Sequence, residues 1–213
     1  MKKRDGFTLI EILTVVSVMV LLMAFVAPAV IGMMQGSQLT QAGQLVMGQL
    51  DLARQEAIAQ NAVVQVRFYK FADPSIPGQV PSNSSTWRFQ GMQAFVISNI
   101  SGAVPLGKMT RLPQGTIMDS GTTLSSMFNS AQRTYTTTPT VPIPLANLQY
   151  AYYEVQFYPD GSPDLPPIIG TANQNWFFTV HSAVAGDGLT KPPANFWTVQ
   201  IDPINGVAKD YRP

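Results

Sequence analysis

From Phe7 to Ala27 the chain reads FTLIEILTVVSVMVLLMAFVA, apolar on every helical face and charged only at Glu11. Wound as a helix at about 1.5 Å per residue, this run covers about 31 Å, close to the ~30 Å hydrocarbon thickness of a bilayer. It predicts a membrane-inserted helix, because a core helix is seldom apolar all round over such a length. Lys2, Lys3 and Arg4 precede it, and they orient it with the N-terminus cytoplasmic and the body of the chain on the far side.

Past Pro28 the polarity changes but the helical period continues. Leu39, Gly43, Val46, Leu50, Ala53 and Ala57 recur at alternating intervals of three and four, while Gln38, Gln41, Gln44, Gln49 and Gln55 fill the other faces. That pattern predicts an amphipathic continuation with a narrow apolar stripe. Pro28 is expected to bend or locally unwind the rod, since it lacks an amide donor and clashes with the preceding turn. Asn61 marks the expected helix end.

From AVVQVRFYKF onwards the period switches to that of strands. VVQVRFYKF, WRFQGMQAFVIS, YYEVQFYP, WFFTVHS and FWTVQIDP alternate or cluster β-formers, with Asp160-Gly161 and Asn205-Gly206 suited to turns that need positive φ. The expected fold is α+β: a long N-terminal helix packed on an antiparallel sheet, with Leu50, Ala53, Ala57 and Ile58 supplying the helix side of the core. The expected organisation is a leader at 1–6, a transmembrane and assembly helix at 7–34, an amphipathic continuation at 35–62 and a β domain at 63–213. Long insertions are expected near 72–90 and 120–148. DPSIPGQVPSNSST and SAQRTYTTTPTVPIPLAN within them are read as surface loops.

Composition narrows the chemistry. Charged residues make up 12% of the 213 residues, against about 25% in ordinary soluble chains. The formal net charge is +1, and removing residues 1–6 takes the 13 basic and 12 acidic side chains to 10 and 11, a formal −1. Neither value gives a general pull towards nucleic acid. The absence of cysteine excludes disulfides, thiolate metal sites and thiol nucleophiles. His181, the one histidine, is read as structural. Asp160, Asp164, Asp187 and Asp202 lie at no calcium-loop spacing and are read as turn residues. Tyr150, Tyr152, Tyr153, Phe157 and Tyr158 are read as strand-face packing rather than a binding surface. No phosphate loop, dinucleotide fingerprint or zinc spacing is present, so no cofactor is expected.

Three readings of the N-terminus compete. A secretory signal cleaved after Ala29 would have an unusually long apolar run containing an acid, with proline in the middle of the small-residue site. An uncleaved anchor leaves Glu11 without a purpose. Cleavage between Gly6 and Phe7 makes Glu11 the fifth residue of the mature chain.

The hexapeptide GFTLIE, behind a short basic leader and ahead of the apolar run, resembles the prepilin signature of type IV pilins and type II secretion pseudopilins. LDLARQEAIAQNAVVQV (50–66) is similar to the helix-to-strand region of the GspH/FimT group of minor pseudopilins. LPQGT (112–116), VQFYPDGSP (155–163) and WTVQIDPINGVAK (197–209) are weaker echoes. The long insertions depart from that group's pattern. The resemblance implies cleavage after Gly6 by prepilin peptidase, N-methylation of Phe7, and docking of the Phe7 amine of one subunit against Glu11 of the next. It also implies a helix-melting role for Pro28.

Further implied partners are other pilin subunits, an assembly ATPase and an inner-membrane platform protein. The implied location is the bacterial inner membrane with the C-terminal domain periplasmic, followed by a periplasmic or surface filament. The expected function is that of a non-enzymatic minor pilin or pseudopilin. Two rivals remain open: a DNA-uptake minor pilin using Lys209 and Arg212, which with Asp210 between them form a poor phosphate-binding set, and a secreted ligand-binding β-domain released at Ala29.

Overall fold

The computed structural model describes residues 7–73, 76, 78–98, 102–129, 150–166 and 175–213; within the first helix the side chains of 25–31 are also left undescribed. The chain divides into two compact units, Met1–Ser37 and Gln38–Pro213, each considered by itself. One helical assignment, α1 (Leu9–Gln60), runs through both. Its continuity includes position 28, where the side chain is not described.

In the second unit α1 buries one stripe: Leu39, Ala42, Val46, Leu50, Ala53 and Ala57, each at most 2% exposed. With Gly43, which is also buried, these residues are the predicted set with Ala42 added. Ile58, expected in the core, is 46% exposed. It follows Ala57 by one residue, about 100° around the helix, and so leaves the stripe. Asn61 ends the helix with φ of +49°, a left-handed conformation that asparagine tolerates better than most side chains.

Among the described residues nine strands follow: β1 (Val63–Phe71), β2 (Arg88–Ser98), β3 (Gly102–Pro105), β4 (Thr110–Arg111), β5 (Thr116–Met118), β6 (Tyr150–Phe157), β7 (Trp176–Ser182), β8 (Phe196–Ile201) and β9 (Ala208–Tyr211). All pairings are antiparallel. The order is β6-β1-β2-β5-β7-β8-β9, with β3 and β4 also paired to β2. Along its second edge β2 therefore meets three short strands in turn, and β5 joins the β6-β1-β2 and β7-β8-β9 halves. The α+β expectation holds.

Alternation along β1 sends Val64, Val66 and Phe68 into the cluster shared with α1. Tyr69 and Phe71 join Phe95 and Tyr150 on the other face. The centre of the main cluster is aromatic. Phe128 stacks on Phe89 with ring centroids 4.3 Å apart, and meets Phe68 at 5.5 Å, Tyr153 at 5.4 Å and Phe178 at 5.2 Å. The insertion read at 120–148 begins with buried Leu124, Met127 and Phe128, so its first residues belong to the core. The segment SAQRTYTTTPTVPIPLAN lies outside the described residues. β2 starts at Arg88, within the predicted strand segment WRFQGMQAFVIS that closes the insertion read near 72–90.

The two anticipated turns have the expected backbone. Gly161 and Gly206 adopt φ of +82° and +70°. They approach each other closely: a Cβ on Gly206 would collide with the Gly161 carbonyl oxygen and stand 3.2 Å from Phe157 Cε1. Arg54 Nε donates to the Asn205 carbonyl at 2.8 Å and fastens the second turn to α1.

Candidate assembly site

The first unit carries the residues on which the prepilin reading rests. Phe7 is 83% exposed, and the large apolar side chains from Leu9 to Met23 are all more than half exposed. So continuous an apolar surface needs lipid or protein around it. Among the described residues, however, no helix is long and apolar enough to cross a membrane. The described side chains of the run stop at Ala24, short of the roughly 20 residues a span needs.

Within this surface Glu11 is held by its own chain. Its Oε2 accepts from the Thr8 amide and from Thr8 Oγ1, both at 2.8 Å. The Glu11 amide donates in return to Thr8 Oγ1 at 3.3 Å. This is a capping box: the side chain before the helix satisfies an orphan amide of the first turn, and the acid three residues on reaches back. The carboxylate also sits where the helix dipole favours negative charge. Thr8 is the residue that sequence reasoning missed, although the Thr-x-x-Glu spacing ahead of an apolar run signalled it.

The other hydroxyls of the segment are satisfied locally as well. Thr14 Oγ1 donates to the Ile10 carbonyl at 3.0 Å and the Glu11 carbonyl at 2.9 Å, and Ser17 Oγ to the Leu13 carbonyl at 2.8 Å. Such back-bonding suits an apolar environment, where an unpaired hydroxyl is expensive. Gly6 lies outside the described residues. Pro28 lies within α1, with its side chain undescribed.

The remaining candidates fall elsewhere. Arg212 Nη1 donates to Thr40 Oγ1 at 2.9 Å, and its guanidinium lies 5.6 Å from the Trp197 ring, so it is engaged with the fold. Lys209 is exposed on β9. The aspartates accept from nearby donors: Asp160 from Ser162, Asp164 from the Gln156 amide, Asp187 from Ser120 and Asp202 from the Ile204 amide. Among the described residues no group of three or more His, Asp or Glu side chains could hold a metal ion. His181 is buried between Asp119 and the Ser182 carbonyl. Of the tyrosine set, Tyr150, Tyr153 and Phe157 are buried and Tyr158 is 41% exposed.

Comparison with known proteins adds the following. Residues 1–27 match the prokaryotic N-terminal methylation motif. No curated protein matches the chain. Two solved structures are similar: the minor pseudopilin EpsH from the type 2 secretion system of Vibrio cholerae and the type IV minor pilin FimU of Pseudomonas aeruginosa. Each is 12% identical with a TM-score of 0.44 and covers 83% of this chain; 98% of EpsH and 93% of FimU are covered in return. Likeness at that level carries no argument about function. What stands on the motif and on the capped acid beside it is that the chain carries a prokaryotic N-terminal methylation motif, the signature through which it resembles type IV pilins and pseudopilins.

Proposed function

We propose that this chain is a structural subunit, of the minor kind, in a type IV pilus or a type II secretion pseudopilus. In this reading prepilin peptidase removes residues 1–6, cutting after Gly6, and Phe7 is N-methylated. The helix from Phe7 onwards (7–34) is first inserted in the inner membrane, with 35–62 continuing it outside and the β body at 63–213 periplasmic. The mature subunit then leaves the bilayer for the filament, driven by an assembly ATPase acting through a platform protein. Pro28 supplies the point at which the helix unwinds locally as subunits pack.

The observation that carries the reading is Glu11: a carboxylate within an otherwise apolar, exposed helical surface. Both Thr8 bonds fall on Oε2. In the assembled filament Oε1 would take the cationic amine of a neighbouring Phe7. Inside an apolar bundle that pairing offsets the desolvation of both charges and fixes the axial register between subunits.

The test is Glu11→Ala in the native host. Removing one partner of a buried pair leaves the other uncompensated, at a cost of about 3–5 kcal/mol. Membrane insertion of the variant should be unchanged and its recovery in sheared filaments lost. Normal recovery in filaments would overturn the reading.

A further inference from the structure

His181 sits on β7 and is fully buried, as is Asp119. Its Nδ1 lies 2.9 Å from the Ser182 carbonyl oxygen, and its Nε2 lies 3.0 Å from Asp119 Oδ2. A carbonyl oxygen only accepts, so Nδ1 must carry a proton. Asp119 is in turn surrounded by donors. Its Oδ1 accepts from the Gly121 amide at 2.7 Å, and its Oδ2 accepts from the amides of Gly188 at 3.0 Å and Leu189 at 3.2 Å. A carboxyl group receiving three backbone N–H groups is held in its ionised form, and Nε2 must then donate too. Both ring nitrogens donating means an imidazolium.

Among the neighbouring charges, Asp187 acts in the same direction. Asp187 accepts from the Ser120 amide and hydroxyl, both at 2.7 Å, and attracts the His181 charge. Arg88 approaches Asp187 at 3.6 Å, and Lys70 also feels the Asp187 charge, so these two cations share that attraction with His181. Burial by itself disfavours the imidazolium, but Asp119, the Ser182 carbonyl and Asp187 outweigh it and raise the His181 pKa above its ordinary value. Burial likewise pushes Asp119 up, while the bonds from His181, Gly121 and Leu189 bring it below the usual aspartate value.

We propose that His181 and Asp119 form a proton-operated latch: the imidazolium holds the Asp119 carboxylate in place to receive the Gly188 and Leu189 amides, and loss of the proton loosens those two contacts. The segment from Ser182 to Leu189 is exposed at its apex, where Val184 is 86% accessible. Gly186 and Gly188 take φ of +92° and +73° beyond it, a backbone that glycine adopts readily and other residues rarely do. Because the folded His181 pKa is raised, the latch is complete below about pH 6.5 and opens as pH rises through the folded value. Because Asp119 is lowered, protonation disrupts it only well into the acid range.

The chain has one histidine, so selective ¹⁵N-histidine labelling of the full-length protein in detergent micelles gives a single pair of ring signals. The two nitrogens are expected to show imidazolium shifts together, with a midpoint above about pH 6.5. Amide exchange at Gly188 and Leu189, corrected for its intrinsic base catalysis, should rise at least tenfold across that same midpoint. Asp119→Asn should lower the midpoint by more than one pH unit. A neutral ring at pH 6.5, or Gly188 and Leu189 protection that stays constant through the midpoint, would overturn the proposal. Both readouts come from the wild-type protein, so they decide even if the variant does not fold.

Discussion

Gly43 tests how closely the helix approaches the sheet. It lies on the buried stripe of α1, and a Cβ built there would stand 2.5 Å from Cε2 and 2.7 Å from Cγ of the Trp197 indole. Comfortable carbon contacts are about 3.5–4.0 Å, so Gly43→Ala requires the ring or the helix to withdraw by about 1 Å. Overpacking of this kind costs about 1–3 kcal/mol. Against it stands the helix propensity gained on replacing glycine by alanine, about 1 kcal/mol. Trp197 has little room to move, being 8% exposed with the Arg212 guanidinium 5.6 Å from its ring. The net expectation is a loss of up to about 2 kcal/mol, which for a chain of this size lowers Tm by up to roughly 8 °C. Gly48 is the control, since nothing lies within 4 Å of a Cβ placed there. Gly48→Ala should therefore stabilise by up to about 1 kcal/mol. Thermal unfolding of the two detergent-solubilised variants, followed by circular dichroism, compares them directly. If Gly43→Ala stabilises as much as Gly48→Ala, the close helix–sheet contact is refuted.

Two further substitutions probe the packing. Phe128→Ala removes the ring at the centre of the aromatic cluster and should destabilise by about 3–5 kcal/mol in urea unfolding, whereas a surface loop position would cost less than about 0.5 kcal/mol. Gly206→Ala meets both a positive φ and the Gly161 carbonyl, so it should cost more than the ~1 kcal/mol of left-handed strain alone; an unchanged unfolding midpoint would contradict the turn geometry.

Where local periodicity and packing agree, the fold was legible in the sequence. The three-four spacing of Leu39, Val46, Leu50, Ala53 and Ala57 located the buried stripe, and alternation located β1, β2, β6, β7 and β8. Short strands escaped because two to four residues carry no period. β3, β4 and β5 exist through pairing along β2, a tertiary contact that no local window contains. Phe128 was hidden for a related reason: it stands in a polar, turn-rich segment, and only the fold brings it among Phe68, Phe89 and Phe178. At the N-terminus Glu11 stands out as an anomaly in an apolar run, while its attachment to Thr8 is written only in the short Thr-x-x-Glu spacing. The His181–Asp119 contact joins residues 62 apart and leaves no trace in either neighbourhood.

The central claim is that the carboxylate of Glu11 is tolerated in an apolar helix because processing frees an amine for it to meet. Intact-mass measurement on the protein purified from its native host tests this most directly. The account predicts a chain that begins at Phe7 and carries one added methyl group. A chain that still begins at Met1, or one that begins at Val30, would contradict it.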